Sequence, residues 1–223
     1  MKLTFIEHAC VMLEHNGKVV VIDPFTSDAD AVIRKYPHFM HPDFIALTHG
    51  HDDHTAALTS IVGKNTTIIG IVEICSYLNS LGFAKTVGMN FGGTVAFDDI
   101  SFTLVPAVHS SSDKGVYLGQ PAGFVIKLGD KTVYHAGDTD LFGDMSLINR
   151  FLNPSIGLIP IGGRFTMDVK KAAVCCNEYF DFDAVIPIHY NTFPPIKADE
   201  KEFVSLVKTK TIPLRPTESV DFD

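Results

Sequence analysis

Two β-sheets packed face to face and covered by helices, in one α/β domain spanning 1–223, is the architecture this sequence predicts, on three observations. Strand-like segments dominate the first half of the chain, helices and strands alternate through the last third, and no linker, low-complexity stretch or short repeat divides it. A chain of 223 residues is long enough for such a domain to bury a substantial core.

Taken in order, residues 3–6 form a short apolar strand, and residues 11–14 and 18–22 flank Asn16-Gly17, a two-residue hairpin signal. Asp23-Pro24 ends that sheet. Residues 26–43, with Pro37 and Pro42, read as a loop holding one helical turn. Residues 44–48 are the next strand. Ala56, Ala57, Leu58, Ile61 and Val62 then have helical spacing that stops at Gly63. A β-branched strand over 67–71 precedes a helix over 73–81, closed by Gly82. Strands resume over 94–97 and 100–108 around the Asp98-Asp99 turn, and over 124–128 and 132–135 around Gly129-Asp130. The last third alternates: strand 157–161, helix 168–180 with Val169, Ala172, Ala173, Cys176 and Phe180 on one stripe, strand 184–188, helix 199–208.

The formal charge of −8, with no basic cluster longer than Lys170-Lys171, argues against a nucleic-acid binder that works by neutralising phosphates. Cys10, Cys75, Cys175 and Cys176 show no paired spacing and read as core thiols in a reducing compartment. Glu7 and His8 interrupt the apolar start before a signal-peptide core is complete, and no stretch approaches a membrane span. The expectation is a cytoplasmic protein with neither nucleic-acid nor membrane partners.

The chemistry concentrates in Thr48-His49-Gly50-His51-Asp52-Asp53-His54, directly after the apolar run 44–47. Neutral imidazole and carboxylate together suit zinc, manganese, iron or cobalt. Three further metal-competent side chains stand at or just past strand ends: His109, Asp138 in Ala136-Gly137-Asp138-Thr139, and His189. Each alone is weak, since a lone histidine at a strand end is more often structural. Four strand ends finishing this way are much harder to reach by accident.

In this order, Thr-His-x-His-x-Asp-His, a distant His, Gly-Asp-Thr and a final His, the sequence resembles the metallo-β-lactamase superfamily over nearly its whole length. The phrases His135-Ala136-Gly137-Asp138-Thr139 and His189-Tyr190-Asn191-Thr192-Phe193-Pro194-Pro195 are similar to the metal-dependent hydrolase branch related to ascorbate-6-phosphate lactonases. The resemblance implies an αββα sandwich of two mixed β-sheets flanked by helices, with two divalent ions, zinc first and manganese, iron or nickel as alternatives. It assigns His49, His51 and His109 to one ion, Asp53, His54 and His189 to the other, and Asp138 to both. Two such ions, roughly 3.5–4 Å apart, share a hydroxide that attacks a small ester, lactone, thioester, amide or phosphodiester. Asp53, as a ligand that also holds the nucleophile's proton, is the catalytic residue. Relatives of this size are often oligomeric, which allows a homo-oligomer here. Two other readings stay open: an iron-dependent oxidoreductase or dioxygenase in the same ligand frame, and a metal- or ligand-binding module without turnover.

Residues of lower rank follow. His8 corresponds to a histidine that this branch carries near its start, with a pocket role or simple packing as alternatives. His135 either orients Asp138 or is an ordinary strand residue. Tyr190 is a candidate for the substrate. Arg164 replaces the Asn that the branch resembles at this point, and either recognises a substrate carboxylate or phosphate or is a surface arginine. Asp168 reads as the N-cap of the helix that follows. His15, His38 and His41 read as solvent-exposed.

Overall fold

Asn16 and Gly17 both take positive φ (47° and 76°), which a two-residue hairpin of the right twist needs. That hairpin starts the sheet work of the chain. In the computed structural model, which describes residues 1–223, the strands in chain order are β1 Lys2–Glu7, β2 Cys10–His15, β3 Lys18–Ile22, β4 Phe44–Ala46, β5 Thr67–Ile71, β6 Thr86–Met89, β7 Thr94–Phe97 and β8 Ile100–Pro106. They continue as β9 Ser112–Asp113, β10 Val116–Tyr117, β11 Ala122–Leu128, β12 Lys131–His135, β13 Ile156–Pro160, β14 Ala184–Ile188, β15 Lys210–Thr211 and β16 Glu218–Asp221. The helices are α1 Ala29–Lys35, α2 Asp52–Thr55, α3 Leu58–Ile61, α4 Val72–Ser80, α5 Met145–Leu152, α6 Val169–Val174 and α7 Glu200–Leu206.

The chain forms two compact units, each built on one mixed seven-stranded sheet. The first unit comprises residues 1–90, 110–120 and 215–223. Its sheet runs β16-β1-β2-β3-β4-β5-β6; β3 to β6 are parallel, and β1 and β2 join by antiparallel pairing. Two antiparallel steps restore direction, so β1 points the same way as β3 and β4. The carboxyl ends of all three strands therefore lie on one edge, where ligand sites of parallel sheets collect. His8, Asp23 and His49 follow those ends.

The second unit comprises residues 91–109 and 121–214, with sheet order β15-β14-β13-β12-β11-β8-β7. Strands β12, β13 and β14 are parallel, and β8 reaches the same direction through antiparallel β11. His109, Asp138 and His189 therefore leave from one edge by the same topological argument. Tyr134, wholly buried, stacks on Phe180 and Phe182 at centroid distances of 5.0 and 6.5 Å, and these rings pack with Met145, Ile148 and Ala172 under α5 and α6.

Several elements differ from expectation. Residues 29–35 form a helix of two turns, because Asp28 caps it through Ala31 N (2.9 Å) and Pro37 stops it only afterwards. The helical pattern over 56–62 is two short turns, and the first, α2, begins inside the histidine cluster. Helix α6 has the expected Asp168 cap but widens after Val174 into a π-turn, Cys175–Tyr179. Helix α5 and the strands β9, β10, β15 and β16 lie outside the elements expected from sequence. No helix is long and apolar enough to cross a membrane.

Candidate metal centre

In the first unit the register Ile22↔Ala46 between β3 and β4, continued by Asp23 N donating to Ala46 O (3.0 Å), sets Asp23 beside Thr48. Asp23 is fully buried, and its carboxylate accepts three hydrogen bonds. Thr48 N donates to Oδ1 (2.8 Å), while Thr48 Oγ1 (2.6 Å) and His54 Nδ1 (2.8 Å) donate to Oδ2. A carboxylate only accepts, so the network assigns tautomers. His54 carries its proton on Nδ1. Thr48 spends its hydroxyl proton on Asp23 and therefore accepts from His49 Nδ1 (3.0 Å). Both buried imidazoles are left with an Nε2 lone pair, which is the form a metal needs.

His49 Nε2 lies 3.0 Å from His51 Nδ1. Two nitrogens on one tetrahedral zinc stand about 3.3 Å apart, given bonds of ~2.0–2.1 Å, so this pair already has the separation of two ligands. The turn of α2 sends Asp53 and His54 to a different side from His51. The ligand atoms of His8, Asp53 and His54 lie within 4.8 Å of one another, and so do those of Asp23, His49 and His54. Gly50 lets the Leu118 side chain pack closely at this corner, and a Cβ there would force that side chain to shift. The donor set therefore fits a divalent ion.

In the second unit His189 Nε2 lies 3.0 Å and His109 Nε2 3.5 Å from the same oxygen of Asp138, Oδ2. Two imidazoles converging on one buried carboxylate is the arrangement a shared ligand requires. The loops that carry them are stitched together: Val108 N donates to Thr139 Oγ1 (2.9 Å) and Asp140 N to Val108 O (3.1 Å). Gly137 N donates to His135 Nδ1 (3.1 Å), so His135 braces the turn that presents Asp138. His189 itself sits at φ 54°, a left-handed conformation uncommon for a residue with a Cβ.

The remaining candidates are placed as follows. His8, 1% exposed, hydrogen-bonds Asp53 Oδ2 through Nε2 (3.2 Å). Tyr190 donates its hydroxyl to Glu200 Oε2 (2.8 Å). Arg164 is exposed, with its guanidinium 5.4 Å from the centre of the Phe165 ring. Its loop is closed by Gly163 N to Met167 O (3.0 Å) and tied by Met167 N to Thr139 O (3.0 Å), while Gly162 packs against the His189 carbonyl without room for a Cβ. Arg164 thus stands on a loop held by both the Asp138 and the His189 segments. His38 and His41 are exposed, as expected, and His15 is half-buried. All four cysteines are free and buried; desolvation raises Cys75 to about 11 and Cys175 to about 12, and raises Cys10 and Cys176 as well. None is a ready thiolate.

Sequence reasoning missed Asp23, read only as the end of a sheet. The available signal was a carboxylate after β3, one strand over from the cluster, where a histidine ligand needs an acceptor behind it.

A profile of the Beta-lactamase superfamily domain matches residues 2–189. A UPF0173 metal-dependent hydrolase of Methanospirillum hungatei is 43% identical over 224 residues, covering 97% of this chain and 96% of the relative. Among solved structures, Igni18, a novel metallo hydrolase from the hyperthermophilic archaeon Ignicoccus hospitalis, is 34% identical with a TM-score of 0.88, covering 100% of this chain and 98% of that one. The metallo-beta-lactamase fold protein YhfI from Bacillus subtilis, 12% identical, shares the fold at a TM-score of 0.76 over 98% of both chains. The α/β fold class expected from the sequence is thus the one found.

Proposed function

This chain belongs to the beta-lactamase superfamily, and from that premise we propose a dinuclear metal-dependent hydrolase acting on a small anionic ester, lactone or phosphoester. The coarse activity, metal-dependent hydrolysis, follows from relatives that match end to end. The single observation that carries the finer reading is the Asp23–Thr48 network, which leaves His49 and His54 with acceptor nitrogens in a buried site. A buried carboxylate spent on fixing two tautomers has little purpose unless those nitrogens bind a cation.

In this proposal His49, His51 and His109 hold one divalent ion, Asp53, His54 and His189 the other, and Asp138 serves both. When bound, such ions lower the pKa of water toward neutrality and polarise the group under attack. The chain supplies the rest. Asp53 accepts a hydrogen bond from the attacking water and so orients it, while Oδ2 keeps its hydrogen bond from His8. Asp23 and Thr48 keep the imidazoles from turning. Arg164 pairs with a carboxylate or phosphate of the substrate, an assignment supported by its exposure and by its loop's attachment to the Asp138 and His189 segments. No thiol takes part, and four buried free cysteines fit a reducing, cytoplasmic setting.

Metal analysis of the purified chain, alongside hydrolysis of lactone, carboxylic ester, thioester and phosphodiester probes, tests the proposal. About two zinc or manganese ions per chain with turnover of one probe class is the expected result. Iron with visible absorption and no hydrolysis would replace it with the oxidoreductase reading.

A further inference from the structure

The donors in the first unit are not equally fixed. His49 and His54 are wholly buried and locked from behind by Asp23 and Thr48. Asp53, in contrast, has a side chain 34% exposed, on a one-turn helix that gives its carboxylate little packing. His8 reaches it with a completely buried side chain, its Nε2 3.2 Å from Asp53 Oδ2. The carboxylate only accepts, so His8 is the donor, with its proton on Nε2.

His8 occupies its position against local preference. It follows β1 in the tight connection to β2, where pairing shifts register between Phe5 and Glu7, and its φ is +61°. A left-handed residue with a Cβ is costly, and glycine or asparagine would suit that backbone better. Its ring packs edge-on against Phe25 and His54, at centroid distances of 5.4 and 5.6 Å. A left-handed backbone carrying a buried imidazole onto a half-buried carboxylate is the pattern expected where position matters more than stability.

We propose that His8 is the positioning residue for Asp53: it ties down Oδ2, so that Oδ1 is the oxygen that serves the second ion. This rests on the dinuclear reading above. His8 acts through Asp53, touches no substrate, and does for the exposed donor what Asp23 does for His54. The consequence falls first on the ion that Asp53 serves.

The test compares His8→Ala, His8→Gln and His8→Gly with wild type, by metal content after equilibration against buffered zinc and by melting temperature without metal. Glutamine can place an N–H near the position of Nε2. Expected are one ion retained and the second bound about 10- to 100-fold more weakly in His8→Ala, recovery in His8→Gln, and a metal-free His8→Gly at least as stable as wild type. Unchanged loading in His8→Ala overturns the proposal and leaves the dinuclear reading intact. Loss in His8→Ala without recovery in His8→Gln also overturns it, and makes His8 itself a ligand. Wild type that takes up fewer than two ions defeats the dinuclear reading instead. The hydrogen bond is then judged by ¹⁵N spectra of the metal-free chain: the Nε2–H form in wild type, lost in Asp53→Ala, upholds it, and an Nδ1–H ring in wild type sinks it.

Discussion

The two units arrange their candidate metal donors in opposite ways. In the first, the donors come from one hexapeptide, and a buried carboxylate, Asp23, stands behind the imidazoles, holding their Nδ1 sides through His54 and Thr48. In the second, the donors come from three distant strand ends, and the carboxylate, Asp138, stands in front, facing the Nε2 atoms of His109 and His189. The same residue type thus does two jobs. Behind an imidazole it sets the tautomer; in front of one it faces the Nε2 atoms, where the proposed function puts the ion.

Equal substitutions at the two aspartates sharpen that contrast. Asp138→Ala should lower turnover more than the ~100-fold typical of a lost outer partner and reduce metal content, while the metal-free chain melts no lower than wild type. A large loss of metal-free stability would break the comparison by making Asp138 structural. Asp23→Asn should do the reverse in emphasis. The amide keeps an oxygen for Thr48 N but no longer accepts from Thr48 Oγ1 and His54 Nδ1, which costs roughly 2–4 kcal/mol of stability, read as the urea midpoint of the metal-free chain, and about 10- to 100-fold in metal affinity. If Asp23→Asn binds metal like wild type, the tautomer argument fails. The smallest effect belongs to the rim. Arg164→Gln should lower kcat/KM for an anionic probe relative to a matched neutral ester by about tenfold, the value of one charge-assisted hydrogen bond; an unchanged ratio would return Arg164 to the surface.

The legibility of the chain follows the same divide. The first unit's donors were readable because a contiguous motif records its own geometry: residues 48–54 lie within one strand end and one turn. The second unit's donors were readable only as a pattern of spacing, since no local feature of His109 or His189 separates a ligand from a structural histidine. Asp23 was not readable as functional at all. Its role depends on which strand lies beside β3, and parallel pairing with β4 is a long-range choice. Helix α1 was hidden by the prolines near it.

By itself the sequence determined the α/β class and the strand ends at which residue types able to hold a divalent ion stand, because periodicity and composition act over a few residues. Tertiary structure alone decided which nitrogen of His49 and of His54 carries the proton, which carboxylate lies behind and which in front, and that His8 reaches Asp53. Those are properties of hydrogen bonds between residues far apart in the chain, and only strand register brings such partners to within 3 Å or so.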